Sequence, residues 1–193
     1  MIDLAESVLE DRLRDILRST PTLMRVMAVA RDLDLPDWLV FSGAIYQPVW
    51  NHLTGRPAEY GVRDYDLGYF DPDTTWDAED AVIRRVAGAF DSPLKEQVEV
   101  RNQARVHLWF EYHFGEPYAP LAATAEALER FAAPACAVGA RLEPDGELTI
   151  VAPFGLRDVF AMRLRPNPLR GAKGLAKVVA NARARWPELT ADA

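Results

Sequence analysis

The sequence predicts an α+β protein built around a mixed sheet, and three observations lead to this fold class. Apolar residues recur at helical spacing in the first part of the chain and again near its end. Short apolar or alternating stretches with strand character lie between these helices. The length of 193 residues and the 49% hydrophobic content suit one globular domain with a buried core.

Two helices are predicted to open the chain. Their apolar stripes are Leu9, Leu13, Ile16 and Leu17 in the first, and Leu23, Val26, Met27 and Ala30 in the second. Thr20 is expected to cap the second helix, because a threonine before a proline suits an N-cap followed by the first helical position. Pro36 is expected to end that helix.

An apolar strand, residues 38–41, follows and ends in the turn Ser42-Gly43-Ala44. The next helix is expected to begin near residues 45–47, because Pro48 is tolerated only in a first helical turn. A helix N-terminus that follows a glycine turn presents free backbone N–H groups. Such a terminus is a ready site for a phosphate group.

A second strand is expected to carry Asp64 and Asp66 after a glycine-rich loop. Residues two apart on a strand share a face, so the two carboxylates would lie close enough to share a cation. Aspartate is disfavoured in strands, and like charges on one face repel each other. A divalent metal would remove this repulsion. The alternative is a polar strand edge without a ligand.

The rest of the chain alternates helices and strands. Helices are predicted at residues 76–90, 102–114, 122–132 and 172–185, and strands at 95–101, 136–142 and 147–151. In the strand 95–101, Glu99 shares a face with Gln97 and Arg101. If this strand lies beside the Asp64 strand, Glu99 brings a third carboxylate to the same site. The alternative is that Glu99 pairs with Arg101.

Composition excludes several classes of protein. The net charge of −7 argues against a protein that coats nucleic acid through its overall charge. The N-terminal segment lacks an uninterrupted hydrophobic stretch, so neither a signal peptide nor a membrane anchor is expected. The single cysteine, Cys136, rules out an internal disulfide and suits the reducing cytoplasm. The three histidines lack metal-ligand spacing and are expected to pack among aromatic residues.

The segment between Val159 and Pro187 contains seven basic residues and no acidic one. Arg165 and Arg170 flank a Pro-Asn-Pro sequence, and a guanidinium can bind phosphate oxygens in a bidentate manner. Some of these basic residues are therefore expected to help hold a polyphosphate. The alternative is a solvated helix face.

The order of these motifs resembles the nucleotidyltransferase fold of the DNA polymerase β superfamily. In that fold a hydrophobic strand and glycine turn precede a two-acid strand, and a third acid follows. The segments SGAIYQPVWNHLTG, RDYDLGYFD, EVRNQARVHLW and APFGLRDVF look like those of a family of uncharacterised bacterial nucleotidyltransferase-like proteins. The resemblance covers about residues 20–187 and implies N-terminal helices (1–35), a catalytic core (36–115) and a C-terminal strand-helix extension (116–193).

The resemblance also implies roles for individual residues. Asp64, Asp66 and Glu99 would be catalytic and would bind Mg²⁺ or Mn²⁺. Gly43 would be the glycine of the phosphate turn. Apart from the resemblance, the nucleoside triphosphate (NTP) is expected to be held by Ser42, Gly43 and Ala44 of this turn and by Arg101, Arg105 and Arg165; the alternative for Arg105 is a solvated helix face. Ala44 departs from the superfamily pattern, in which glycine or serine follows the first glycine, and this departure puts the rate in doubt more than binding.

Two functions remain open from the sequence. The first is a metal-dependent nucleotidyltransferase that moves a nucleoside monophosphate from an NTP to an unknown hydroxyl-bearing acceptor. The second is a catalytically weak or inactive nucleotide- or metal-binding module that acts through a protein partner. A third carboxylate favours the enzyme, since a binding module does not need it, whereas Ala44 favours the module. No membrane or nucleic-acid partner is expected, and the sequence does not give the oligomeric state.

Overall fold

The computed structural model describes residues 5–192, which form helices around a mixed sheet. The α-helices are α1 (Glu6–Arg18), α2 (Pro21–Asp32), α3 (Gly43–Leu53), α4 (Trp76–Ala87), α5 (Leu94–Gln97), α6 (Phe110–Phe114), α7 (Arg157–Phe160) and α8 (Leu175–Arg183). The strands are β1 (Leu39–Phe41), β2 (Tyr65–Tyr69), β3 (Val98–Asn102), β4 (Gly139–Leu142), β5 (Leu148–Val151), β6 (Arg163–Leu164) and β7 (Thr190–Ala191). Short 3₁₀ helices span Gln103–Leu108, Thr124–Arg130 and Pro134–Cys136.

The main sheet has five strands in the order β3-β2-β1-β4-β5. β1 is antiparallel to both β2 and β4, β4 is antiparallel to β5, and β2 is parallel to β3. β6 and β7 form a separate parallel pair. The β2–β3 pairing is the one on which the sequence-based position of Glu99 depends, and it is present.

The two faces of the main sheet are covered differently. Val40, Leu67 and Val100 belong to the large core that also contains the buried stripes of α1, α2 and α3. Leu39 and Phe41 belong to a small second cluster with Leu128. Alternate residues of a strand point to opposite faces, so the helices cover one face and the segment after β3 covers the other.

α3 anchors the C-terminal part of the chain through buried polar contacts. The indole N–H of Trp50 donates to the carbonyl of Val159 at 3.0 Å, and that of Trp186 donates to the side-chain oxygen of Asn51 at 2.9 Å. Asn51 is fully buried and donates its amide to the carbonyls of Ala58 and Tyr60. Buried amide and indole groups are stable only when paired, so these contacts fix the C-terminal segment against α3.

The start of α3 was predicted wrongly. α3 begins at Gly43, and Pro48 lies inside it rather than in its first turn. The carbonyl of Ser42 accepts hydrogen bonds from the N–H groups of Ile45 and Tyr46, so the turn itself starts the helix. The helix tolerates Pro48 at the cost of the one N–H that proline lacks.

The segments around β3 also differ from the predictions. Residues 94–97 form a helical turn, closed by a bond from the N–H of Lys95 to the carbonyl of Asp91, so the strand begins only at Val98. The helix predicted at 102–114 is a 3₁₀ helix followed by the short α6, and the helix predicted at 122–132 is a 3₁₀ helix. Asn102 ends β3 and its side-chain oxygen accepts from the N–H of Ala104, which starts the tighter helix.

Smaller corrections concern helix ends. Thr20 occupies the N-cap position of α2 as predicted, and its carbonyl accepts from the N–H of Met24, but its hydroxyl donates to the carbonyl of Ile16 in α1 and makes no cap bond to α2. α2 ends at Asp32, four residues before Pro36. Asp34, which follows the helix end, adopts a φ of +50°. α8 begins only at Leu175, because Gly174 has a φ of +77°.

The sheet joins segments that the predicted division separates. β1, β2 and β3 come from residues 36–115, whereas β4 and β5 come from residues 116–193. Residues 1–4 and 193 of the predicted domain lie outside the described part of the chain. Within residues 5–192 no helix combines the length and the apolar character that crossing a bilayer requires.

Candidate functional site

The turn between β1 and α3 has an unusual backbone. Ser42 adopts φ +59° and ψ −125°, a conformation that favours glycine, while its N–H is held by the carbonyl of Val138 at 2.9 Å. Non-glycine residues in such conformations persist only where the surrounding structure requires them, and they are frequent at functional sites. The N-terminus of α3 therefore lies in a turn that is fixed from the neighbouring segment.

Ala44 lies in α3 and faces away from this turn. Its side chain is 1% exposed and belongs to the large core. A hydroxyl at this position would be buried in an apolar environment. The partly exposed hydroxyl of the turn belongs to Ser42.

Two residues that the sequence analysis did not select border the turn. A Cβ atom on Gly43 would lie 2.7 Å from the side-chain nitrogen of Gln47. The guanidinium of Arg185 donates to the side-chain oxygen of Gln47 at 3.4 Å and to the carbonyl of Gly61. Burial lowers the pKa of Arg185, and the charge of Asp64 opposes this effect. Arg185 thus brings a positive charge from the C-terminal segment to the region between the turn and Asp64.

The predicted carboxylates meet at the start of β2 and β3. Asp66 is the register partner of Phe41 on one side and of Glu99 on the other, and Asp64 immediately precedes β2. Burial is the largest of the effects that raise the pKa of Asp66 to about 7, and the negative charges of Asp64 and Glu99 act in the same direction, while Arg101 opposes them. The structure therefore brings all three predicted acids and Arg101 into electrostatic contact.

The chemistry of this donor set fits a hard divalent cation, because a cation would offset the mutual repulsion of the carboxylates. Within residues 5–192, however, no three or more acidic, histidine or cysteine side chains are grouped closely enough to hold a metal ion. Mg²⁺ usually takes only one or two carboxylates from the protein and completes its shell with water and substrate phosphates. The observed arrangement is compatible with a metal that binds together with its substrate.

The structure does not bring Arg105 or Arg165 to these carboxylates. Arg105 is buried and forms an ion pair with Glu79, whose other oxygen accepts from the N–H of Asn102 at 2.9 Å. Arg165 pairs with Asp158 at 2.7 Å. Their guanidinium groups stabilise the fold at these positions instead of standing beside the acids.

A cleft of about 410 Å³ opens beside Asp66 and Glu99. Its aromatic walls are Phe41, Trp109, Phe110, Phe114, Tyr118 and Phe131, and three arginines also line it, Arg101, Arg130 and Arg170. We call this the aromatic cleft. Of the two basic residues predicted to hold phosphate at the Pro-Asn-Pro segment, Arg170 lines this cleft and Arg165 does not.

The sequence did not mark these aromatic residues as part of a site. One signal could have marked them: four of the six residues from Trp109 to Phe114 are Trp, Phe or Tyr, which is more than one buried stripe of a helix can hold. Phe114 and Tyr112 are accordingly 60% and 90% exposed. No comparable signal marks Gln47 or Arg185, which depend on the docking of the C-terminal segment.

Comparisons with known proteins give one family match and several similar folds. The sequence model of a family described as "Nucleotidyltransferase" matches residues 28–191. A protein whose NMR structure revealed a CCA-adding enzyme head domain is similar over 94% of this chain and 95% of its own, with a TM-score of 0.73 and 22% identity. A tRNA-processing enzyme in an apo form is similar over 86% of this chain and 44% of its own, with a TM-score of 0.50 and 18% identity. A comparison with curated proteins gave no significant match. The structural similarities confirm the predicted fold.

Proposed function

This chain belongs to the nucleotidyltransferase family, and from that premise we propose that it moves a nucleoside monophosphate from an NTP to a hydroxyl-bearing acceptor in a metal-dependent reaction. The observation that carries the proposal is the β2–β3 register, which sets Asp66 beside Glu99 with Asp64 next to them. A carboxylate whose pKa is raised to about 7 in a cleft is typical of a functional site.

Each part of the site has a proposed task. The strained turn at Ser42 and Gly43 presents the N-terminus of α3 to the triphosphate, and Arg185 adds a positive charge next to it. Asp64 and Asp66 would hold the divalent metal, and Glu99 would act on the attacking hydroxyl. When bound, the metal supplies charge neutralisation at the phosphate oxygens.

The reaction balances as a displacement at phosphorus. The hydroxyl oxygen of the acceptor forms a bond to the α-phosphorus, and the bond from that phosphorus to the bridging oxygen of the β-phosphate breaks. Pyrophosphate leaves, and the hydroxyl proton passes to the carboxylate of Glu99. Arg101, on the same face as Glu99, limits the negative charge around the acids.

The competing proposal is a binding module without turnover. Its sequence-based support was Ala44, but the buried position of that side chain removes the argument, since a hydroxyl there would face the core. The cytoplasmic location stays a prediction, as do the choice between Mg²⁺ and Mn²⁺ and the acceptor.

The experiment is transfer of label from α-³²P-labelled NTPs to the components of a bacterial metabolite extract. We expect a labelled product that needs Mg²⁺ or Mn²⁺ and disappears in Asp66→Asn. Glu147→Gln is the control, because Glu147 is an exposed acid next to β5, at the opposite edge of the sheet from β3. Equal transfer by Asp66→Asn and wild type would contradict the proposal.

A further inference from the structure

The aromatic cleft has the composition of a site for a flat, negatively charged molecule. Its walls contain six aromatic side chains, and ring contacts order them: Phe110 lies 4.5 Å from Tyr118 and 4.7 Å from Phe114, measured between ring centroids. Aromatic faces bind planar rings by stacking. A cleft of this volume is within the usual range for small-molecule sites.

The charges in the cleft are positive apart from the reacting acids. Arg130 stacks on Tyr118 at 5.6 Å and is exposed, and the structure shows no ion pair for it within the described residues. Arg101 is also exposed. Arg170 is paired with Glu116 and donates to the backbone carbonyl of Arg130. Exposed guanidinium groups next to aromatic rings favour an anion that carries a ring.

The position of the cleft relates it to the attacking side of the reaction. Its lining residues include Glu99 and Asp66, and none of them comes from the Ser42–Gly43 turn or from α3. The triphosphate is proposed to lie at that turn, and Glu99 is proposed to accept the proton of the attacking hydroxyl. A molecule in the aromatic cleft would therefore present its hydroxyl at Glu99.

We propose, resting on the proposed nucleotidyl transfer, that the aromatic cleft binds the acceptor, and that this acceptor is a small molecule with a planar aromatic ring, an anionic group and a hydroxyl. The ring stacks on the aromatic wall that Phe110, Phe114 and Tyr118 form, and Arg130 binds the anionic group. The volume of the cleft, about 410 Å³, and the net charge of −7 favour a small molecule over a nucleic acid strand.

The test measures the affinity of the full-length protein for a panel of hydroxyl-bearing aromatic carboxylates: 4-hydroxyphenylacetate, 5-hydroxyindole-3-acetate and 6-hydroxy-2-naphthoate. Cyclohexanecarboxylate serves as the non-aromatic anion. The affinity for Mg²⁺ and ATP is measured separately on the same samples. At least one aromatic acid is expected to bind with a Kd below about 1 mM and at least about fivefold more tightly than the cyclohexane acid.

Matched variants decide whether the cleft is the binding site. Phe114→Ala should weaken the affinity for the aromatic acid about fivefold to tenfold. Tyr112→Ala, on the same helix but outside the cleft, should leave this affinity unchanged. Arg130→Gln should have a similar effect. Arg12→Gln, which also removes a guanidinium stacked on a ring, should have none. All four variants should bind Mg²⁺ and ATP as wild type does.

Several results would overturn the inference. No binding by any aromatic acid, or equal weakening by Phe114→Ala and Tyr112→Ala, contradicts it while leaving the proposed transfer standing if ATP still binds. Loss of ATP affinity in Phe114→Ala would assign the cleft to the nucleobase instead. Tighter binding of a short single-stranded RNA, lost in Phe114→Ala, would assign it to a nucleic acid end. If the aromatic acid binds as expected but Mg²⁺ and ATP do not, the proposed transfer fails and the cleft assignment stands.

Discussion

The ionised carboxylate of Asp66 destabilises the folded state. Its carboxylate is partly buried next to two other acids, and its pKa is raised from 3.8 to about 7. The folded state therefore favours the protonated acid more than the unfolded chain does. A residue that served only the fold would be selected against at this position, since an uncharged side chain avoids the repulsion.

The raised pKa of Asp66 predicts a pH-dependent gain in stability from Asp66→Asn. Below about pH 4 the Asp66 carboxyl is protonated in both the folded and the unfolded protein. The stability that comes from keeping this carboxyl protonated in the folded protein is lost as the pH rises through about 7. In buffer with EDTA, Asp66→Asn should therefore be more stable than wild type by about 1 kcal/mol or more at about pH 9. The difference should shrink at about pH 4. Thermal unfolding of both proteins at the two pH values measures it, and an equal difference at both would show that burial and charge do not perturb this group.

The helices and strands with a clear period were predictable. The stripes of α1, α2 and α8 are buried or partly buried as expected, and β1, β4 and β5 lie within the predicted ranges. The segment between β3 and β4 was not predictable. Two helices of ordinary length were predicted there, whereas the segment forms 3₁₀ helices, the first of which is started by the side-chain cap of Asn102.

The site residues also divide into those that the sequence could predict and those that it could not. Asp64, Asp66 and Glu99 could be predicted because local spacing places two of them and a single strand pairing places the third. Arg105 could not, because its buried partner Glu79 lies on α4, 26 residues away in the chain. Long-range ion pairs leave no periodic signal in a sequence.

The junction of α4 and β3 depends on this buried ion pair. Arg105→Gln leaves the charge of Glu79 buried without its partner, so we expect it to reduce the free energy of unfolding by about 3 kcal/mol or more. Arg84→Gln, which removes an exposed ion pair with Asp80 on the same helix, should reduce the free energy of unfolding far less. Urea unfolding of the two variants compares them. Equal, small losses would mean that Arg105 is free to serve another purpose, such as the triphosphate binding expected from the sequence.

The candidate site takes residues from Phe41 to Arg185, from every part of the chain after the first two helices. The turn and the acids come from residues 42–99, the aromatic cleft extends this region to Arg170, and Arg185 reaches the turn because Trp186 is docked on Asn51. The C-terminal segment is thus part of the site and not only a cover for the core. Docking over such distances is the reason why its contribution was predicted at Arg165 instead of Arg185.

Arg185 is expected to bind the triphosphate, and Arg165 is not. Arg185→Gln should weaken the affinity for Mg²⁺ and ATP about tenfold, the usual scale for one charge-assisted contact. Arg165→Gln is the matched control, and its ATP affinity should remain that of wild type. Calorimetric titration of both variants, after their unfolding temperatures are compared, gives the answer. A larger loss in Arg165→Gln would restore the position expected from the sequence.

Glu99→Gln provides the sharpest measurement, because it separates a reaction centre from a cluster that only binds nucleotide. The change keeps the size of the side chain and removes its charge. If Glu99 accepts the proton of the attacking hydroxyl, the variant should bind Mg²⁺ and ATP within a few-fold of wild type and release pyrophosphate about 10²-fold more slowly in a single turnover with the acceptor. Glu147→Gln should run at the wild-type rate. Full-speed turnover by Glu99→Gln would mean that Glu99 does not accept this proton, and that the β2–β3 edge is not the reaction centre assigned to it.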